Sequence, residues 1–394
     1  MRHEPELVAA ALRAIDAAQR RRHSQITMRP VNPAAPMLVQ SDGRSLVNFC
    51  SNDYLGLSQH PDVISACRRA LNESGVGSGA AHLLGGHSPE HAALEDELAA
   101  FTGRQRALLF STGYMANLGV IGSFAARGEI VLQDRLNHAS LMDAARLSDA
   151  RLLRYPHADA AAAAAMLESQ PAATMLATDG VFSMDGDVAP LTALAASCRR
   201  HRAWMLVDDA HGIGVLGANG AGSLQAAQLG SSEVPLLMGT LGKALGCFGA
   251  FVAGDADVIE LLLQRARSYI YTTAMPPALA AAARAALRLC RDESWRRGRL
   301  QQHVRHLRER ASPLGLQLLP SATAIQPLVI GDSARAVALG RALRAAGFLV
   351  GVTRPPTVPE GGARLRITLS ASHQPAQIDG LLDALNQTRT LWAA

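Results

Sequence analysis

The chain has 394 residues, 48% of them hydrophobic and only 4% aromatic, with a formal charge of +5 at neutral pH. That length and apolar content allow one large packed unit with a smaller companion and speak against long disorder. The cations cluster only briefly, at "RRRH" (20–23) and "WRRGR" (295–299), and make no basic stripe interleaved with aromatics, so a nucleic-acid partner is not expected.

At the start, "MRHEPELVAAALRAIDAAQRRRH" (1–23) mixes acids and bases among its apolar residues, which reads as an amphipathic helix rather than a signal peptide. No apolar run approaches the roughly 18 residues that span a membrane, so no membrane association is expected. The five cysteines (Cys50, Cys67, Cys198, Cys247 and Cys290) are odd in number, widely spaced and without a C-x-x-C pair. Neither a disulfide framework nor a metal site is expected, and a cytoplasmic, reducing location fits.

From residue 106 strands and helices alternate. "RALLFS" (106–111), "EIVLQD" (129–134), "RLLRYP" (151–156), "ATMLATDGVFS" (173–183), "AWMLVDDAH" (203–211), "PLLMGTLGK" (235–243) and "GAFVAG" (249–254) read as strands, with helical stretches between the first five. This is the pattern of βαβ units and a mostly parallel sheet covered on both faces. Ligands of such sheets gather at the strand C-terminal ends. Ser111, Asp134, Ser183, Asp208 and Lys243 occupy such ends. After "YTTAMPPALAAA" (271–282) come Arg-rich helices, then "AIQPLVIG" (324–331), a helix at 333–347, "FLVGVTR", "ARLRITLS" and a last helix. The predicted organisation is an N-terminal helical segment (1–47), a large α/β domain (48–285) and a small C-terminal α+β domain (286–394).

Lys243 is the one lysine among 38 basic residues; the other 37 are arginines. An amine can form a Schiff base with a carbonyl, whereas a guanidinium stays protonated and delocalised. A composition drifted to arginine can replace a lysine that only carries surface charge, but not one that is a nucleophile or base. "VDDAHG" (207–212) ends a buried strand with two acids and a histidine. "GIGVLG" (212–217) matches a dinucleotide fingerprint, but "ANGAGS" follows and is too glycine-rich for the helix that fingerprint needs, so it reads as a loop. "FSTGYMAN" (110–117) places free helix-start amides after a strand, a ready anion site or an ordinary N-cap. His138 opens a helix in "DRLNHAS".

Together, "NFCSNDYLGLS" (48–58), "DRLNHASL" (134–141), "TDGVFSMDGDVAPL" (178–191), "VDDAHGIGVLG" (207–217), "GTLGKALG" (239–246), "YIYTTAMPP" (269–277) and "VTRPPTVPEGGARLRITLSA" (352–371) resemble the pyridoxal-phosphate (PLP) enzymes of the α-oxoamine synthase family. That family has the fold-type-I, aspartate-aminotransferase-like architecture. "RPPTVP" leans toward its biotin-biosynthetic branch. The resemblance implies a condensation of L-alanine with pimeloyl-CoA or pimeloyl-acyl-carrier protein, and a homodimer with shared active sites; condensation of glycine with acetyl-CoA, or another reaction of the family, is the alternative within it, and a non-catalytic member that binds a partner, which should lack the Schiff-base lysine, is the alternative of another class. It implies that Lys243 carries PLP, that Asp208 pairs with the pyridine nitrogen, that His211 and Ser183 meet the phenolic oxygen side, and that His138 stacks on the ring. Gly113, Tyr114 and Thr240 would hold the phosphate, with Thr272 or Thr273 reaching it from the second subunit. Asn52 and Arg354 would meet the amino acid. An acyl-chain arginine is expected among Arg20, Arg21 and Arg22, with Arg22 put forward. The loop "GSGAAHLLGGHS" (77–88) departs from the family pattern, with Ala80 for a glycine, His82 near a basic position and His87 for an aromatic; in relatives this loop faces the acyl substrate.

Overall fold

The computed structural model describes residues 5–18, 21, 24, 26–29, 36–40 and 42–393. The chain forms two compact units, one of residues 52–300 and one of residues 1–51 with 301–394.

Among the described N-terminal residues only Pro5–Ala17 is α-helical. Strands β1 (Thr27–Met28), β2 (Met37–Gln40) and β3 (Ser45–Phe49) follow. The 1–47 stretch therefore ends in strands, not helix. β3 is too short to announce itself: Leu46 and Phe49 are buried while Val47 is half-buried.

In the larger unit, helices Pro61–Ser74 and Pro89–Thr102 precede β4 (Arg106–Phe110). Then β5 (Ile130–Asp134), β6 (Arg151–Tyr155), β7 (Ala173–Asp179), β8 (Trp204–Asp208), β9 (Leu236–Thr240) and β10 (Ala250–Gly254) complete a seven-stranded sheet. Its order is β4-β10-β9-β8-β7-β5-β6. The run from β9 to β6 is parallel, and β10 is antiparallel to both neighbours. Helices Gly113–Phe124, Ala139–Leu147, Ala160–Ser169 and Leu191–His201 make the crossovers. The central strands are mostly apolar because both faces are covered, whereas edge strand β6 exposes Arg151 and Arg154. In β8, Leu206 packs into a cluster with Val120, Ile121 and Leu141, while Met205 and Val207 pack with Leu167 and Leu194 on the other side. As expected of a loop, "GIGVLG" forms turns, pinned by an Ile213–Ala221 bridge.

In the smaller unit, β11 (Ile325–Gly331), β12 (Phe348–Thr353) and β13 (Ala363–Thr368) join the N-terminal strands in the order β1-β2-β3-β12-β13-β11. β3 runs parallel to β12, with Val47 opposite Phe348. Helices Ser333–Ala345 and Pro375–Gln387 pack here, and the buried Phe49 ring stacks on His373 at 4.2 Å. Among the described residues no helix is long and apolar enough to cross a membrane.

Candidate active site

The C-terminal ends of β7, β8 and β9 and the start of helix Gly113–Phe124 converge on a cleft of about 210 Å³ within the larger unit. Lys243, His211, Asp208, His138, Ser183 and Thr240 line it, with Gly113 and Tyr114 at the helix start. Eight residues singled out from the sequence, spread over 130 positions of chain, thus meet in one place.

The amine has a built neighbour. Lys243 Nζ lies 2.9 Å from His211 Nε2, and His211 Nδ1 lies 2.6 Å from the Tyr54 hydroxyl. Tyr54 donates in turn to Asn52 Oδ1 at 3.2 Å. A phenol has one proton. With it on Asn52, the phenolic oxygen accepts from His211 Nδ1–H, which leaves Nε2 as the acceptor facing Lys243. Tyr54 is 1% exposed, so this relay is held in place.

Asp208 is 4% exposed at the end of β8. Asn117 Nδ2 donates to its Oδ2 at 2.7 Å, and the Ala210 amide to its Oδ1 at 3.1 Å. Asn117 also donates to Ser140 Oγ at 2.8 Å, and Ser140 Oγ is 2.7 Å from His138 Nδ1. His138 caps helix Ala139–Leu147 and its own amide donates to Asp179 Oδ2 at 2.7 Å. Burial lowers the His138 pKa, against the pull of Asp208, so the ring is disposed to neutrality. Burial, then the nearby Asp208 charge, raises Asp179 well above the usual carboxylate range.

Asp209, next to Asp208, serves a different purpose. It is fully buried, and burial pushes its pKa up to about 7. Its carboxylate accepts from the Ser223 amide at 2.7 Å and fills a pocket so tight that a Cβ at Gly212 or Gly222 would collide with it. The second acid of "VDDAHG" thus braces the His211 turn and does not line the cleft.

At the anion-binding end, Thr112 caps helix Gly113–Phe124 by accepting from the Met115 amide at 3.2 Å. The amides of Gly113 and Tyr114 precede any intrahelical acceptor. Thr240 Oγ1 donates to the Gly249 carbonyl at 3.0 Å and accepts from the Gly242 amide at 3.2 Å. The aldehyde, pyridine nitrogen and phosphate of PLP call for an amine, a carboxylate and amide or hydroxyl donors, and the cleft offers Lys243, Asp208 and the amides of this helix start, with Thr240 beside them.

Other expected residues lie apart from these. Thr272 and Thr273 do not line the cleft of their own chain; Thr273 bridges to Ala81. Asn52 enters through Tyr54. Arg354 belongs to the smaller unit, where its Nη2 donates to the Arg21 carbonyl at 3.4 Å. Arg21 donates to Asp16 at 2.7 Å; Arg20 and Arg22 are outside the described residues. Ser111 and Asp134 also stay off the cleft, Asp134 being taken by His157 Nδ1 at 3.0 Å. Tyr54, Asn117, Ser140 and Asp179 were not singled out from the sequence. All four stood inside quoted motifs, but nothing in their spacing showed what they touch.

A family model described as aminotransferase class I and II matches residues 44–385. An 8-amino-7-oxononanoate synthase of Methylococcus capsulatus is 57% identical over 386 residues, 98% of each chain. The chain belongs to the PLP-dependent α-oxoamine synthases of the class I and II aminotransferase family. This α-oxoamine synthase is accordingly a PLP-dependent acyltransferase of fold type I. Its fold is similar to a serine palmitoyltransferase from S. paucimobilis solved with a bound PLP–myriocin adduct (30% identity, TM-score 0.90, 98% of this chain and 97% of that one). It is also similar to an 8-amino-7-oxononanoate synthase from Francisella tularensis (30% identity, TM-score 0.78, 88% of this chain and 98% of that one).

Proposed function

We propose that the cleft condenses L-alanine with a pimeloyl thioester, of CoA or of acyl-carrier protein, to give 8-amino-7-oxononanoate, CO2 and free thiol in cytoplasmic biotin biosynthesis. The observation that carries this reading is the lone amine of Lys243 set on His211 beside the braced Asp208, in a chain 57% identical to a relative named for that product. When bound, PLP supplies a carbonyl for amine capture and an electron sink for the carbanion.

The chain's residues do the rest. Lys243 would hold the cofactor, and its amine, when free, would take the alanine Cα proton as base. His211, fixed by Tyr54, sets the direction of that amine and meets the phenolic oxygen side with Ser183. Asp208, aligned by Asn117 and the Ala210 amide, keeps a proton on the pyridine nitrogen. The Gly113 and Tyr114 amides and Thr240 hold the phosphate, joined by Thr272 or Thr273 of a second copy, so the working form is a homodimer. Asn52 and Arg354 meet the alanine, Arg354 as a fork on its carboxylate, and Arg22 meets the acyl chain. The new bond joins alanine Cα to the acyl carbonyl carbon as the thiolate leaves. Loss of the alanine carboxyl as CO2 follows, and His138, which would lie against the cofactor ring, would return a proton to Cα.

Rates for L-alanine, glycine and L-serine against pimeloyl, acetyl and succinyl thioesters test the reading. Alanine with a pimeloyl thioester is expected to be fastest; a faster reaction of glycine with acetyl-CoA would overturn it.

A further inference from the structure

Away from the cleft, the loop that departs from the family pattern and the first turn of helix Pro89–Thr102 bring three histidines together. Ligand atoms of His82, His87 and His91 lie within 4.8 Å of one another. The cluster invites a metal, but His91 has no lone pair to offer. The Ser88 amide donates to His91 Nδ1 at 2.9 Å, so Nδ1 is an acceptor and the proton sits on Nε2. Nε2–H then donates to the Met275 carbonyl at 2.7 Å. Both ring nitrogens are committed. His82 packs edge-on against this ring at 5.0 Å and stacks on Tyr269 at 4.9 Å, and burial drives its pKa down to about 3, so it backs His91 as a neutral wall.

What His91 holds is a single strip of backbone. The Met275 carbonyl accepts a second bond from Ser78 Oγ at 2.6 Å. The Ala274 amide donates to the Ala80 carbonyl at 3.0 Å, and Thr273 forms an antiparallel bridge with Ala81. The strip 273–275 is thus stitched at consecutive residues to the loop from Ser78 and the helix start that carries His91, while Thr273 keeps its side exposed. Met275 itself is 2% exposed, so its carbonyl depends on these donors.

We propose that His91, with Ser78, is a positioning residue that aims the Thr272–Thr273 hydroxyls at the cofactor phosphate of a second copy of the chain. The inference rests on the reading that one of those threonines reaches across the dimer. The 78–91 segment then has a task that does not involve touching substrate: it is the mount for a cofactor ligand that works in the other protomer's site.

Two substitutions divide the two bonds of His91. In His91→Asn the amide oxygen replaces Nδ1 and keeps the Ser88 cap, but the donor to Met275 is gone. In His91→Gln the amide nitrogen reaches the place of Nε2 and keeps that donor, while the cap is lost. The full chain, freed of PLP and titrated with it by absorbance, is expected to bind about fivefold more weakly in His91→Asn, the weight of one hydrogen bond, and within about twofold of wild type in His91→Gln. Ser78→Ala leaves His91 and its cap in place and is expected to weaken PLP about as much as His91→Asn. It carries the test if His91→Asn does not fold, and wild-type affinity in it would overturn the proposal. A Thr272→Ala, Thr273→Ala double variant separates the two levels. If it weakens PLP while His91→Asn and His91→Gln behave alike, the positioning role falls and the shared site stands. If it binds PLP like wild type, the shared-site reading falls and the positioning role with it.

Discussion

A guanidinium in place of Lys243 would keep the charge beside His211 and lose the only side-chain amine in the chain. Lys243→Arg is expected to lower turnover by at least about a thousandfold and to leave no cofactor attached to the protein after borohydride reduction; turnover near wild type would remove the lysine from the mechanism. Tyr54→Phe tests the relay behind it. Losing the phenol frees His211 to rotate and exchange tautomers, so kcat/KM is expected to fall about five- to tenfold with a displaced pH profile; an unchanged profile would make Tyr54 mere packing. These cases mark what was legible in single residues. Lys243, Asp208 and His211 carry reactive groups in apolar or glycine-rich settings, and that contrast is visible in a string of letters. Asn117 is an ordinary amide in a helix, and only folding sets it against a carboxylate 91 positions later. Asp208 and Asp209 look interchangeable in sequence, yet the alternation of side chains about the strand end sends one to the cleft and the other into a glycine-walled recess.

The turn that carries Asp187 is tied to β5 by one imidazole. His157 is 3.0 Å from Asp134 and 2.9 Å from Asp187, and the bonds to those carboxylates raise its pKa from 6.5 to about 10. The folded chain therefore holds this proton more tightly than the unfolded one. The stabilisation is complete below about pH 6.5 and fades as pH rises toward 10. The melting temperature is expected to fall over that window, and His157→Gln should flatten the decline; parallel curves for the two proteins would refute the assignment. A second element-scale prediction concerns Gly222, whose φ of +99° and lack of a Cβ let Asp209 fit. Gly222→Ala is expected to cost about 1–3 kcal/mol in denaturant unfolding. The strands from residue 106 onward follow from short apolar runs bounded by polar and turn residues, and each expected strand there is present. Strands β1–β3 did not show because two to five residues with mixed burial leave no period to detect. The 77–88 loop was equally opaque, because its order comes from partners nearly 200 positions away.

Across the whole molecule, pairing of β3 with β12 joins positions some three hundred residues apart, so the smaller unit cannot be completed until both ends of the chain are present. Phe49, fully buried and stacked on His373, is the anchor of that closure. Phe49→Ala is expected to destabilise by about 3–5 kcal/mol, seen as a lower denaturant midpoint; a loss under about 1 kcal/mol would show that the sheet closes without it. The arginine-for-lysine composition has a whole-molecule consequence as well. Lysine labelled with 13C at Cε would enter this chain at one position, so a spectrum of the entire 41.5 kDa protein would contain a single lysine signal, from the methylene beside the amine that faces His211. Every change of state at that nitrogen, on proton loss, cofactor capture or substrate arrival, would be read without assignment and without background.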